Sequence, residues 1–128
     1  MENNKVNVEN GKCTNLDFLK QLTKNNPDMI AEMIKVYLEE TPELLGSMRE
    51  SLEKRDYDTL KAAAHSILPS FSTMGISEEY TTLTKTIQDC AVKKESPEKI
   101  EPLLKQLEAI CDKAYQELQQ EIVSLEKL

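Results

Sequence analysis

Apolar residues recur at steps of three and four along most of this chain, and this spacing limits the fold more than any other sequence feature. Such steps place side chains on one face of an α-helix, whereas a half-buried strand needs alternation at every second residue. The longest stripe follows Ser96-Pro97, a pair typical of a helix start. It comprises Ile100, Leu103, Leu107, Ile110, Ala114, Leu118, Ile122 and Leu125. Because Pro102 lies near this start, we expect regular helix to begin one turn late.

A second long stripe follows Asn26-Pro27, which reads as an N-cap and a first helical position. Its members are Ile30, Ile34, Tyr37, Thr41, Leu45, Met48 and Leu52. They keep phase across Thr41-Pro42, which favours one long helix, kinked at Pro42 and ending near Arg55. The alternative is that Thr41 caps a fresh helix.

Three shorter segments are also predicted to be helical. A two-turn helix begins near Asn15, a third helix runs from about Asp56 to a C-terminal cap at Gly75, and Ser77 caps a fourth. The apolar positions are Leu16, Phe18, Leu19 and Leu22 in the first, Leu60, Ala64, Ile67, Phe71 and Met74 in the third, and Tyr80, Leu83, Ile87 and Cys90 in the fourth.

Short connections between these helices indicate antiparallel neighbours. We therefore predict an all-α fold, an antiparallel up-down four-helix bundle with a short extra N-terminal helix. Residues 1–12 are polar and aperiodic, so we expect a flexible tail there and one helical bundle domain over residues 13–128. A length of 128 residues, 39% of them hydrophobic and 30% charged, suits a single globular domain.

The charge and cysteine content exclude several classes of function. A net charge of −7 without a Lys/Arg cluster argues against binding nucleic acid or an anionic membrane. Cys13, Cys90 and Cys111 are an odd, widely spaced set, so we predict neither a disulfide framework nor a metal site. No signal peptide or membrane-spanning run is evident, and a cytoplasmic location is expected.

The single histidine, His65, is predicted to face solvent. At about 100° per residue, the apolar stripe of the third helix spans about 80°, and His65 lies about 140° from its centre. No charged residue occurs between Ala62 and Ser77, although an exposed helix face normally carries charges. An uncharged rim around an exposed imidazole suits close approach by another protein; the alternative is that this stretch is partly core. Pro69 also leaves the His65 carbonyl without its helical donor.

The run from Ala64 to Gly75 reads Ala-His-Ser-Ile-Leu-Pro-Ser-Phe-Ser-Thr-Met-Gly. It resembles the signature of the histidine-phosphotransfer (HPt) domain family, in which Ala-His is followed by Lys-Gly-Ser and by Gly ten residues after the His. It is most similar to the variant in which Pro-Ser-Phe replaces Gly-Ser. Similar pieces occur at 15–19, 32–34, 41–42 and 56–57, so the resemblance covers roughly residues 15 to 120. The chain looks like a stand-alone HPt protein.

The resemblance implies a phosphocarrier in a two-component phosphorelay, without kinase activity of its own. His65 would be the phosphoacceptor, and its partners would be receiver domains of response regulators and of a hybrid sensor kinase. No cofactor is implied for this chain, since Mg²⁺ belongs to the receiver, and we expect a monomer. The expected partner-docking residues are Ala62, Ser66, Leu68, Pro69 and Ser72. The structural motif residues are Ser70, Phe71, Met74 and Gly75, and Ser70 should form a structural hydrogen bond.

One departure from the family pattern concerns charge. The Lys that the family carries three residues after the His is Leu68 here, and that cation would stabilise a phosphorylated imidazole. Lys61, one turn before His65, is the expected substitute, with Lys85 on the next helix as a second possibility. Two alternatives to an active carrier stay open. One is a degenerate HPt-like module that docks receivers without carrying phosphate, and the other is an unrelated helical adaptor.

Overall fold

The structure is a computed structural model and describes residues 12–127. Within that range it contains five α-helices and no strand. The helices are α1 (Asp17–Leu22), α2 (Pro27–Glu53), α3 (Tyr57–Thr73), α4 (Glu78–Val92) and α5 (Pro97–Glu126). The predicted flexible tail, apart from Lys12, lies outside the described residues.

Helices α2 to α5 form the predicted all-α bundle. Contacts join α2 to α3, α3 to α4, α4 to α5 and α5 back to α2, while the short α1 contacts α3. The five apolar positions predicted for the third helix are all buried. Of the four apolar positions predicted for the fourth helix, only Ile87 is fully buried, while Tyr80, Leu83 and Cys90 are half-buried at the edge of the core. His65 therefore lies on a helix whose opposite face is anchored in the core.

Local sequence signals explain where the helices begin. The Asn26 side chain accepts hydrogen bonds from the backbone N–H groups of Asp28 and Met29, at 3.0 and 3.2 Å. The Asp56 carboxylate accepts one from the Thr59 N–H at 3.2 Å. These bonds satisfy N–H groups that have no partner inside the helix. Ser77 and Ser96 occupy the predicted N-cap positions, although neither side chain forms a capping bond.

The proline predictions had mixed outcomes. Helix α2 runs through Pro42 without a break, which confirms one long helix in place of two. The expectation of a late start in the last helix was wrong, because α5 begins at Pro97 and contains Pro102. Pro102 deprives only the Glu98 carbonyl of its donor. Glu98 is exposed in the first turn, where water can satisfy that carbonyl.

The buried stripe of α5 also differs from the predicted one. Leu103 and Ile110 are half-buried, while Leu104 and Cys111 are fully buried. The face that packs against α2 and α4 is therefore displaced by one residue at these two turns, and Leu103 and Ile110 lie at its edge. The predicted and observed stripes share Ile100, Leu107, Ala114 and Leu118.

The segment before α1 is tied to two helices. The Glu117 carboxylate on α5 accepts hydrogen bonds from the N–H groups of Cys13 and Thr14, at 2.8 and 3.0 Å, and from the Thr14 hydroxyl at 2.7 Å. The Asn15 N–H donates to the Met74 carbonyl at 3.0 Å, just after α3. The segment therefore fixes the carboxyl-terminal end of the helix that carries His65.

Helices α2 and α5 are further joined by an ion-pair cluster. Arg49 Nη1 lies 2.6 Å from Glu101 Oε1, and Nη2 lies 2.7 Å from Glu108 Oε1. The hydrogen bonds to Glu108 and Glu101 raise the pKa of the Arg49 guanidinium. The cluster lies outside α3, so it supports the bundle and not the histidine directly.

Between residues 12 and 127 no helix has the length and apolar character needed to cross a bilayer.

Candidate functional site

His65 lies near the middle of α3 and is exposed, as the helical phase predicts. The residues on the opposite side of this turn, Ala63, Ala64 and Ile67, are buried. An exposed imidazole on a rigid helix can meet a reactive group on another protein without a rearrangement of the backbone. The position suits a nucleophile that reacts with a partner's group.

One contact to the imidazole comes from the neighbouring helix. The side-chain nitrogen of Gln88 on α4 lies 3.5 Å from His65 Nδ1, longer than the 2.9–3.0 Å of an ordinary hydrogen bond. Amide oxygen and nitrogen are nearly indistinguishable in shape, so Gln88 can present either a donor or an acceptor to the ring. It can therefore influence which ring nitrogen carries the proton.

Gln88 did not emerge from the sequence analysis, although a signal for it existed. His65 lies 11 residues before Ile76, in the turn between α3 and α4, and Gln88 lies 12 residues after it. In an antiparallel helical hairpin, positions equidistant from the turn lie side by side. The predicted hairpin therefore indicated which part of α4 faces the histidine, but not which side chain reaches it.

Two lysines flank the imidazole from different helices. Lys61 is exposed one turn before His65 on α3. Lys85 is exposed on α4, one turn before Gln88, and lines a surface cleft that also contains Ser72 of α3. Neither lysine forms an ion pair within residues 12–127. By helical spacing, Lys61 shares a face of α3 with His65, and Lys85 shares a face of α4 with Gln88.

The five residues expected to dock a partner lie around the histidine. Ala62, Ser66, Pro69 and Ser72 are exposed, and Leu68 is half-buried. Two clefts divide this surface. Ser66 and Pro69 line an apolar groove of about 270 Å³ between α2 and α3, together with Met33, Val36 and Leu44. Ser72 lines the other cleft, beside Phe18 and Lys85. The groove offers mainly apolar side chains together with Glu40, whereas the other cleft also contains the charged side chains of Asp17, Glu78 and Lys85.

The motif residues beyond the histidine have structural positions. The Ser70 hydroxyl donates to the Ile67 carbonyl at 2.8 Å, and Phe71 and Met74 are buried. Gly75 adopts φ +66°, which favours glycine, and a Cβ there would come within 2.0 Å of the Asn15 carbonyl oxygen. The absence of a side chain at Gly75 thus allows the backbone of Asn15 to pass close to the end of α3.

The described residues do not assemble a metal centre. Between residues 12 and 127 no three His, Cys, Asp or Glu side chains come close enough together to hold a metal ion. Cys13 and Cys111 are buried free thiols, and Cys90 is half-buried. Burial, as the main cause, raises the pKa of Cys13 and of Cys111 to about 12. Such thiols stay protonated near neutral pH and are poor nucleophiles or metal ligands.

Comparison with protein-family models gives a match over most of the chain. The model of the Hpt domain matches residues 32–126, which contain the histidine, Gln88 and all five expected docking residues. No curated protein and no solved structure matched the chain.

Proposed function

This chain belongs to the Hpt domain family, and we propose that it relays a phosphoryl group between receiver-domain aspartates through His65. Hpt domains carry phosphoryl groups in phosphorelays and interact with receiver domains of response regulators, acting as phosphocarriers and not as enzymes in the usual sense. The observation that carries the proposal is the exposure of the only histidine, inside the matched region, on a stretch of α3 whose neighbouring residues from Ala62 to Ser72 are small or apolar and carry no charge.

The chemistry requires one nucleophilic nitrogen. The lone pair of His65 Nε2 attacks the phosphorus of a receiver aspartyl phosphate, the N–P bond forms, and the P–O bond to the aspartate breaks. The aspartate carboxylate leaves with the bonding electron pair, and the ring proton stays on Nδ1. The reverse sequence transfers the phosphoryl group to a second receiver. Mg²⁺ held by the receiver supplies neutralisation of phosphoryl charge.

Gln88 supports this assignment of the ring nitrogens. Attack by Nε2 needs the proton on Nδ1, and the Gln88 amide lies beside Nδ1. With its carbonyl oxygen turned to the ring, Gln88 accepts a hydrogen bond from Nδ1–H and favours the reactive tautomer. Gln88 is thus a positioning residue that acts through the imidazole.

A nearby cation would stabilise the added phosphoryl charge. Leu68 occupies the place of the family's Lys, so this role passes to Lys61 or Lys85. Lys61 shares the helix with His65, whereas Lys85 lies one turn from Gln88, which already reaches the ring. The antiparallel pairing of α3 with α4 brings Lys85 nearly level with Leu68, because Leu68 and Lys85 lie 8 and 9 residues from Ile76. This geometry makes Lys85 at least as strong a candidate as Lys61.

The receiver is proposed to dock over Ala62, Ser66, Leu68, Pro69 and Ser72. The area around an active-site aspartate is acidic and carries a bound cation, so a docking face of α3 without carboxylates limits like-charge repulsion. Carboxylates occur only on the neighbouring elements that line the two clefts, at Glu40 in the groove and at Asp17 and Glu78 in the other cleft. Leu68 adds apolar area that a lysine would not supply. The nearest carboxylate on α3 is that of Asp58, two turns before the histidine.

A second function is favoured by Leu68 alone. If the flanking lysines do not replace the missing cation, the protein docks receivers without carrying phosphate and competes with active carriers. This module would have the same fold and the same docking residues.

The test is phosphoryl transfer to the purified chain from receiver domains phosphorylated with acetyl [³²P]phosphate, with His65→Gln as control. We expect acid-labile, base-stable label on the wild type and none on His65→Gln. Binding of receivers by both proteins, without label on either, would replace the carrier with the docking module. Absence of both label and binding, across a panel of receivers, would overturn the proposed function.

A further inference from the structure

The backbone carbonyl of His65 is an acceptor that α3 leaves without its helical partner. In an α-helix this oxygen accepts from the N–H four residues later. That residue is Pro69, which has no N–H, although α3 continues as helix to Thr73. Nearby hydroxyls do not replace the missing donor, because Ser70 donates to the Ile67 carbonyl and Thr73 donates to the Pro69 carbonyl. Among residues 12–127 no side-chain hydrogen bond reaches the His65 carbonyl.

This carbonyl lies under the exposed side of the helix. The peptide group between residues 65 and 66 is flanked on the helix surface by the side chains of Ser66, Leu68 and Pro69. Ser66 and Pro69 are exposed, Leu68 is half-buried, and none of the three carries a charge. The carbonyl therefore belongs to a stretch of α3 whose side chains face solvent, less than one helical turn along the axis from the imidazole.

From this arrangement we infer that the His65 carbonyl is a docking acceptor for a hydrogen-bond donor of the receiver domain, a hydroxyl or a backbone N–H beside its aspartyl phosphate. The inference rests on the proposed function and adds a specificity contact to it. An unpaired carbonyl is held by water in the free protein, and a donor on a close-fitting partner replaces that water. A hydrogen bond to this fixed backbone oxygen would set the distance between the receiver and α3 next to the His65 imidazole.

Pro69 controls this acceptor and can be changed without loss of the fold. Alanine or valine at position 69 restores the N–H, which then occupies the His65 carbonyl within the helix. Valine has about as much apolar volume as proline, whereas alanine has less. Comparing the two variants therefore separates the loss of the free carbonyl from the loss of an apolar contact made by the proline ring. Either change removes proline from a helix interior, which favours folding.

A matched control lies in α2. Pro42 also interrupts a long helix, and its missing N–H leaves the Leu38 carbonyl without a donor. Pro42 lines a cleft between α2 and α5 that contains Glu108 and Tyr115, away from the histidine. Pro42→Ala therefore reproduces the backbone change at a place that the receiver is not proposed to touch.

The experiment is isothermal titration of wild type, Pro69→Ala, Pro69→Val and Pro42→Ala with a receiver domain held in its phosphorylated form by beryllofluoride. Circular dichroism of each variant first verifies the helical fold. We expect both Pro69 variants to bind about two- to tenfold more weakly, the range for one hydrogen bond, and Pro42→Ala to bind like wild type. Unchanged affinity in both Pro69 variants, or weakening in Pro69→Ala alone, overturns the inference but leaves the carrier function intact. If the wild-type protein binds no receiver, both the inference and the proposed function are overturned.

Discussion

The side-chain amide of Gln88 lies 3.5 Å from Nδ1 of His65, so helix α4 supplies a polar group to the imidazole carried by α3. The pairing joins an exposed ring to a half-buried side chain. A half-buried amide loses less freedom on forming a contact than a fully exposed one, because its neighbours already restrict its rotamers. Gln88 therefore restricts the orientation of the ring, and with its amide oxygen turned to Nδ1 it can hold the ring proton there.

Gln88→Leu should slow phosphoryl acceptance by His65 about two- to tenfold, the range for one lost hydrogen bond. Leucine keeps the volume but cannot hold the proton on Nδ1. Gln88→Glu is the matched variant, because its carboxylate accepts from Nδ1–H and should support transfer at the wild-type rate or faster. Rapid-quench transfer from a labelled receiver measures both rates. If Gln88→Glu is as slow as Gln88→Leu, the proposed tautomer is wrong.

Leu68→Lys restores the cation of the family pattern and should lengthen the half-life of the phosphohistidine. Lys85→Ala should shorten it. The expected changes are about two- to fivefold, because interactions between exposed charges are weak in water. Lys61→Ala shows whether the second lysine shares the role, and Lys93→Ala, at the far end of α4, is the control. The half-lives are measured by loss of label at neutral pH. Equal effects of Lys85→Ala and Lys93→Ala would contradict a local role for Lys85.

Gly75→Ala should lower the free energy of unfolding by about 2 kcal/mol or more. An L side chain is disfavoured at φ +66°, and its Cβ would meet backbone atoms of Asn15, which cannot rotate away. Gly46→Ala should have the opposite effect on stability. Gly46 lies in the middle of α2, and a Cβ there would have no neighbouring atom within 4 Å. The substitution should raise stability by about 0.5–1 kcal/mol. Urea denaturation of both variants tests the pair, and a neutral Gly75→Ala would contradict the close approach of Asn15.

Glu117→Gln should release the N-terminal segment and cost about 1–3 kcal/mol of stability. The carboxylate accepts from three donors, whereas the amide would point its own donor at one of them. Glu121→Gln, one turn along α5, is the control. Urea denaturation at pH 7 measures the difference. If both variants lose the same stability, Glu117 has no special anchoring role.

Cys13 provides a second measurement on the same variant. Burial, and secondly the Glu117 carboxylate, raise the pKa of the Cys13 thiol from 9.0 to about 12. A raised thiol pKa contributes stability that is complete below pH 9 and is lost as pH rises toward 12, so unfolding at pH 7 is free of this effect. Removing the carboxylate lowers this pKa, and Glu117→Gln should therefore speed alkylation of Cys13 by iodoacetamide at pH 8.5. Unchanged alkylation would show that the segment stays closed.

Much of the fold follows from local signals in the sequence. The apolar phase of α3 buries Ile67 and exposes His65, and Asn26 and Asp56 start helices because their side chains can accept N–H bonds. These outcomes depend on neighbours within one or two turns. The extent of α5 through Pro102 was missed because an exposed first turn tolerates a missing donor, which local proline rules do not capture.

The contacts between helices were beyond the sequence analysis for a different reason. Gln88 reaching His65, and Glu117 holding the segment around Thr14, depend on the register in which distant helices pack. That register is set by the fit of many core side chains and not by any one of them. A glutamine or a glutamate on a helix surface gives no local sign of its partner. The departure of Leu68 from the family pattern, in contrast, is visible in the sequence itself. Whether Lys85 can replace the missing lysine depends on how α3 pairs with α4.

The most direct test of the account is a nuclear magnetic resonance spectrum of the ¹⁵N-labelled imidazole after transfer from a phosphorylated receiver. The chain contains one histidine, so only one ring contributes signals. The account predicts a one-bond coupling between ³¹P and Nε2, with Nδ1 still protonated. A ring without coupling to phosphorus, under conditions in which the receiver loses its label to the protein, would contradict it, and so would coupling at Nδ1.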